Sequence, residues 1–112
     1  MQHQEYLTTF ENLNEKLATE IALLLYFSTN SCNVGEALEP KVRSLLENNF
    51  PKIKFYNIDL NLSPEIAPKY NAFVEPTILV FFDGKETIRK SRNIGIFELE
   101  NAIKRPYKLI FE

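Results

Sequence analysis

Residues 57–85 read NIDLNLSPEIAPKYNAFVEPTILVFFDGK, and this stretch decides the fold. It opens on the end of an apolar segment, IKFYNID (residues 53–59), whose length and composition are those of a buried strand. Leu62 to Tyr70 then holds a short helix, with Pro64 tolerated in its first turn. A second apolar run, VEPTILVFF (residues 74–82), is entered through Pro76. Asp83-Gly84 follows it as a two-residue hairpin signal, because the tight turns that join antiparallel strands need positive φ and these residues tolerate it. Lys85 to Arg92 is therefore expected antiparallel to the strand before it.

Working outward toward the N-terminus, EIALLLYFS (residues 20–28) is a continuous apolar run of strand length. Such runs suit a central strand covered on both faces. Ahead of it, Tyr6, Phe10, Leu13 and Leu17 fall at spacings of four, three and four, which predicts an amphipathic helix over Glu5 to Thr19. After it, Asn30-Ser31-Cys32-Asn33 is a polar loop leading into Val34 to Asn48, where Val34, Leu38, Val42, Leu45 and Leu46 recur at helical spacing. Ser31 or Asn30 is the expected cap, and Pro40 predicts a kink inside the helix. Toward the C-terminus, a final helix is expected from Ile96 to Lys104, stopped by Pro106. That leaves residues 106–112 as a short apolar tail that packs on the domain or contacts a partner or second subunit. Strand–helix–strand followed by an antiparallel hairpin gives a mixed sheet between helices, in one domain spanning residues 1–112.

Composition narrows the chemistry. Fourteen aromatics (9 Phe and 5 Tyr) and a 45% hydrophobic fraction exclude a disordered chain. One cysteine and one histidine exclude an internal disulfide and an ordinary structural zinc site, so no metal and no cofactor is called for. A net charge of −2 argues against dependence on nucleic-acid phosphates or anionic membranes. Lys85, Arg89, Lys90 and Arg92 lie on the expected edge strand, where cations commonly block edge-to-edge pairing. The longest apolar run, Ile21 to Phe27, is far short of the roughly 20 residues a membrane span needs, and the polar N-terminus is not a secretory signal. The expected location is the cytoplasm, where a lone thiol stays reduced. His3 reads as a solvated terminal residue and Asp59 as a cap or turn former.

The order of elements, with a cysteine at a strand-to-helix turn and a proline opening the hairpin strand, resembles the thioredoxin family over residues 5 to 104. Asn57-Ile58-Asp59, Ala67-Pro68-Lys69-Tyr70, Pro76-Thr77 and Phe81-Phe82-Asp83-Gly84 all have counterparts there. So do Pro40 in the helix after the cysteine and Gly95 before the last helix. The resemblance implies an α/β, thioredoxin-like three-layer sandwich with a mixed four- or five-stranded sheet, and a cis Pro76 bordering a substrate groove. It also marks departures. Where the family has W-C-G-P-C, this chain has Ser31-Cys32-Asn33-Val34-Gly35, so the nucleophilic cysteine is kept and the resolving one is glycine. Tyr26 and Phe55 align with the family's buried aspartate and its lysine partner, which serve the resolving thiol. Glu75 aligns with the isoleucine that usually precedes the cis proline.

Thiol chemistry runs through the thiolate, and at an ordinary pKa only about 3% is thiolate at pH 7. A helix N-terminus favours the anion, and a nearby Glu75 opposes it, so a modest depression of the Cys32 pKa is expected. With no second thiol, a mixed disulfide on Cys32 cannot be resolved from within. The expected function is that of a thioredoxin-like redox protein limited to monothiol exchange. Cys32 is the nucleophile, and Ser31, Asn33, Val34, Gly35, Glu75 and Pro76 shape the groove. Its partners are protein thiols or disulfides, with a low-molecular-weight thiol as a candidate resolver, and the chain is a monomer or weak dimer. The alternative is a non-catalytic module that uses the same surface to bind a protein.

Overall fold

The structure, a computed structural model, describes residues 5–29 and 33–112, with residues 33–35 described by their backbone alone. The elements are α1 (Phe10–Thr19), β1 (Ala22–Ser28), α2 (Asn33–Asn49), β2 (Lys54–Asp59), α3 (Ile66–Lys69), β3 (Thr77–Phe82), β4 (Lys85–Ser91) and α4 (Ile96–Phe111). The strands form one sheet in the order β2-β1-β3-β4. β1 runs parallel to β2 and antiparallel to β3, and β4 is antiparallel to β3. Asp83 and Gly84 turn the β3–β4 hairpin with φ of 55° and 76°, the left-handed backbone that such a turn demands.

β1 explains why its sequence lacks alternation. Ala22, Leu24 and Tyr26 face a core built with α2 and α4, whereas Leu23, Leu25 and Phe27 face a second core built with α1 and α3. Both faces are dry, so every position from Ala22 to Phe27 is apolar and buried. α1 closes one face with Leu13, which has no exposed surface, and with half-buried Phe10 and Leu17. α4 closes the other with Leu99, Ile103 and Tyr107 at four-residue spacing.

Three expectations are corrected. The first helix starts at Phe10, not Glu5. Leu7 N–H donates to Asn57 O at 2.9 Å and Asn57 N–H to Glu5 O at 2.8 Å, so the residues around Tyr6 lie beside β2 in a single parallel bridge. Leu7 is buried while Tyr6 stays 41% exposed, so Leu7, and not the Tyr6 of the apparent helical stripe, faces the core. Thr9 then caps α1, its Oγ1 accepting from Asn12 N–H at 3.1 Å.

The helix expected over Leu62 to Tyr70 shrinks to Ile66–Lys69. Asp59 Oδ1 accepts the N–H groups of Asn61 and Leu62 at 2.8 and 3.2 Å, and Asp59 O accepts that of Ser63 at 2.9 Å. Those donors are spent on a turn before a helix can begin.

The last helix does not stop before Pro106, and residues 106–112 are not a tail, because α4 continues to Phe111. An interior proline costs about 3 kcal/mol through its missing N–H and ring clash. Offsetting it, Tyr107 is buried with its ring 5.1 Å from Phe50 and 4.8 Å from Phe111, and its hydroxyl accepts Lys52 N–H at 3.3 Å. Burying one such ring contributes about 1.5–3 kcal/mol and each aromatic pair about 0.5–1.5 more, enough to carry the helix through. By contrast α2 runs without interruption through Pro40, as its apolar spacing predicts.

Candidate functional site

The site lies at the end of the sheet where β1 hands over to α2. The chain leaves β1 at Ser28, whose carbonyl accepts Leu60 N–H at 3.1 Å, and re-enters regular structure at Asn33. Asn30, Ser31 and Cys32 lie outside the described residues, as do His3 and the side chains of Asn33 and Val34, and Gly35 is placed by its backbone alone. The expected Ser31 or Asn30 cap and the Cys32 thiol therefore receive no structural account.

Across from that turn stands the loop before β3. The Glu75–Pro76 peptide is cis, and Pro76 is buried with its carbonyl accepting Arg92 N–H at 3.0 Å. Thr77 Oγ1 donates to Val74 O, closing the same turn from its other side. Arg89 secures the stretch further back, donating from Nη2 to Tyr70 O at 2.6 Å and from Nη1 to Asn71 O at 3.3 Å. The loop is thus tied to β4, which belongs to the rigid hairpin. Glu75 is half-buried, and its Oε2 accepts Thr29 Oγ1–H at 3.2 Å. That bond joins the last described residue of the β1 end to the residue before Pro76. Of the groove residues named from sequence, Glu75 and Pro76 are thereby brought beside the β1–α2 turn. Thr29, which makes the connection, was missed, since nothing local relates positions 46 residues apart.

Behind the turn, Tyr26 and Phe55 meet across neighbouring parallel strands. In the register Leu24 pairs with Phe55 and Tyr26 with Asn57, so the two rings are diagonal neighbours on one face. They stack with centroids 5.8 Å apart and planes at 27°. The Arg43 guanidinium carbon sits 4.4 Å above the Phe55 ring, and Arg43 Nε donates to Glu39 Oε1 at 3.0 Å. A column of phenol, phenyl and guanidinium therefore fills the space in which the family resemblance implies a carboxylate and an ammonium. It docks α2 onto β2 by dispersion and cation–π attraction, worth about 0.5–2 kcal/mol.

Next to this column a small polar cavity of about 20 Å³ is lined by Tyr6, Ser28, Asn57 and Asp59 among others, room for a single water. Asn57 Nδ2 is buried there without a hydrogen-bond acceptor. Burial raises the Tyr6 phenol pKa, Glu39 and Asp59 raise it further, and Arg43 partly opposes them. Tyr6 and Asn57 reach this place through the N-terminal bridge, so a reading that put Tyr6 on a helix could not find them. Among the described residues, no three His, Cys, Asp or Glu side chains gather as metal ligands. Nor is any described helix long and apolar enough to cross a membrane.

Comparison with known proteins agrees with the fold. The family model described as Thioredoxin matches residues 4–105. The thioredoxin-like protein YdfQ of Bacillus subtilis is 35% identical over 85 residues, covering 76% of this chain and 75% of that protein. A thioredoxin of Chlamydia trachomatis is 28% identical over 94 residues, covering 84% and 87%. Among solved structures, a mutant thioredoxin from Halobacterium salinarum superimposes with a TM-score of 0.81 at 22% identity, covering 91% of this chain and 88% of that one. The mixed four-stranded sheet between two layers of helices is the same fold.

Proposed function

The chain belongs to the thioredoxin family, and from that premise we propose that it performs monothiol thiol–disulfide exchange through Cys32, with a thiol from outside completing each cycle. The observation that carries the reading is the position of the one thiol. Cys32 directly precedes Asn33, the first residue of the 17-residue helix α2, whose leading N–H groups and dipole favour a thiolate. Gly35 offers no second sulfur one turn later. The Tyr26–Phe55 stack supplies no carboxylate to take a proton from one.

The chemistry follows. The Cys32 thiolate attacks one sulfur of a partner disulfide, forming a mixed disulfide and expelling the other sulfur as thiolate. A thiol R–SH from solution or from a partner, as its thiolate, then attacks the partner's sulfur. The bond to Cys32 breaks, its electron pair returns to Cys32, and the incoming sulfur and the partner's sulfur leave joined as a disulfide. Ser31, Asn33, Val34, Gly35, Glu75 and Pro76 form the groove in which this happens. The domain that carries it spans the whole chain, in the cytoplasm. Alkylation of Cys32 by iodoacetamide, followed by mass spectrometry from pH 5 to 10, should show a midpoint clearly below about 8. A midpoint at about 8.5 or higher would overturn the reading.

One observation favours a second reading, a non-catalytic module that binds a protein through this surface. Phe73, three residues before Pro76, is 71% exposed, an aromatic side chain free to enter a partner. That reading requires an ordinary thiol midpoint together with a measurable complex.

A further inference from the structure

Glu75 gives the groove a charge that its neighbours leave uncompensated. Its carboxylate is half-buried and is held at 3.2 Å by Thr29 Oγ1, a neutral donor. Three cations among the described residues are committed to other carboxylates. Arg43 pairs with Glu39 at 3.0 Å, Arg89 with Glu86 at 2.8 Å and Lys90 with Glu98 at 3.3 Å. Arg92 reaches the Pro76 carbonyl through its backbone N–H, yet among the described residues no ion pair includes Glu75. Glu36, in the first turn of α2, and Asp59, at the end of β2, add negative charge at this end of the sheet. Asp59 is engaged by backbone N–H groups, which leave its charge in place.

The distance to the sulfur is bounded by the chain itself. Thr29 precedes Cys32 by three residues, so their Cα atoms are at most about 11 Å apart. A partner docking on Cys32 brings its own residues next to Glu75 and strips water from it. An uncharged or acidic neighbour then leaves a desolvated carboxylate without a counter-charge, whereas Lys or Arg supplies one.

Resting on the monothiol reading above, we infer that Glu75 makes this site select protein cysteines flanked by positive charge, Lys or Arg beside the reacting sulfur, over neutral or acidic ones. The selection acts on both halves of the cycle, because the partner sulfur that forms the mixed disulfide and the thiol that releases it pass the same carboxylate. Release is balanced as written above: the incoming thiol is oxidised, Cys32 is reduced, and no further reductant enters.

The test uses the full chain with Cys32 capped as its mixed disulfide with 2-mercaptoethanol, an uncharged adduct. Three peptides serve as resolving thiols, alike except that the cysteine is flanked by two lysines, two glutamines or two glutamates. Mass spectrometry follows the return of free Cys32, with rates expressed per thiolate. In Glu75→Gln relative to wild type, the lysine peptide should slow by about threefold to tenfold, the glutamate peptide should speed up, and the glutamine peptide should change least. Dividing variant by wild type cancels each thiol's own reactivity. Raising salt on the wild-type protein should compress the spread among the peptides in the same sense, which keeps the test valid if the variant folds poorly. Equal ratios for all three peptides, or a spread that salt does not change, would overturn the charge selection alone. Failure of every peptide to release Cys32 would overturn the monothiol reading and this inference with it.

Discussion

The two ends of this molecule are each organised around a proline, and they are built from opposite materials. At the Pro76 end, polar bonds hold the backbone in place: Arg92 N–H on the Pro76 carbonyl, Thr77 on the Val74 carbonyl, Arg89 on two more carbonyls, and Thr29 on Glu75. At the Pro106 end, apolar contact does the holding, with Tyr107 wedged between Phe50 and Phe111. Hydrogen bonds fix direction and position but contribute only about 1 kcal/mol each, whereas buried rings contribute more and tolerate small displacements. The difference teaches where function sits. The end that has to present groups at defined positions uses many small directional contacts, and the end that only has to stay closed uses a few large ones.

The comparison can be broken at the apolar end first. Tyr107→Ala removes the ring that carries α4 past Pro106 and should cost about 3–5 kcal/mol, read as a lowered urea midpoint. It should leave the pH midpoint of Cys32 alkylation unchanged, because the lost contacts lie at the opposite end of the fold. Pro106→Ala sharpens the same point with the opposite sign. Restoring an N–H to the helix interior should stabilise by about 1–3 kcal/mol in the same titration, if Tyr107 alone has been holding the helix through an unfavourable position. The smallest effect belongs to the polar end. Thr29→Val keeps the side-chain shape and removes the donor to Glu75, and should destabilise by only about 1 kcal/mol. The rate of Cys32 alkylation at neutral pH should nonetheless shift measurably, since a carboxylate beside the turn is set free. A variant that alters stability at this end more than Tyr107→Ala does would erase the distinction.

Much of this architecture was legible because local signals and tertiary demands agreed. The unbroken apolar run of β1 reads as a strand covered on both faces, and it is one. Asp83-Gly84 reads as a hairpin turn because only backbone with positive φ closes it, and both residues adopt that backbone. The misreadings come from positions where a distant partner decides. Tyr6 sits four residues before Phe10 and fits a helical stripe, but Asn57, far along the chain, offers a backbone edge that takes the segment instead. Pro106 reads as a stop because the cost of an interior proline is local, while the compensation comes from Phe50 and Lys52. At the site, the type of residue at 26, 55 and 75 was visible. That Tyr26 and Phe55 stack beneath an arginine, and that Glu75 is held by Thr29, depends on pairings that no spacing along the chain encodes.

The bridge between the Tyr6 segment and β2 bears on how copies of this protein behave toward one another. A sheet with exposed borders is a template for association, and here the two borders are protected by different means. β4 carries Lys85, Glu86, Arg89 and Lys90, charged side chains that a second copy's strand would have to desolvate. β2 carries Phe55 and Tyr56 with Lys54 as its one cation, and the two backbone bonds between residues 5 and 7 and Asn57 occupy its rim. Those few N-terminal residues therefore act as a seal, and a chain trimmed up to Leu7 would offer the β2 edge as an open docking strip for its own kind.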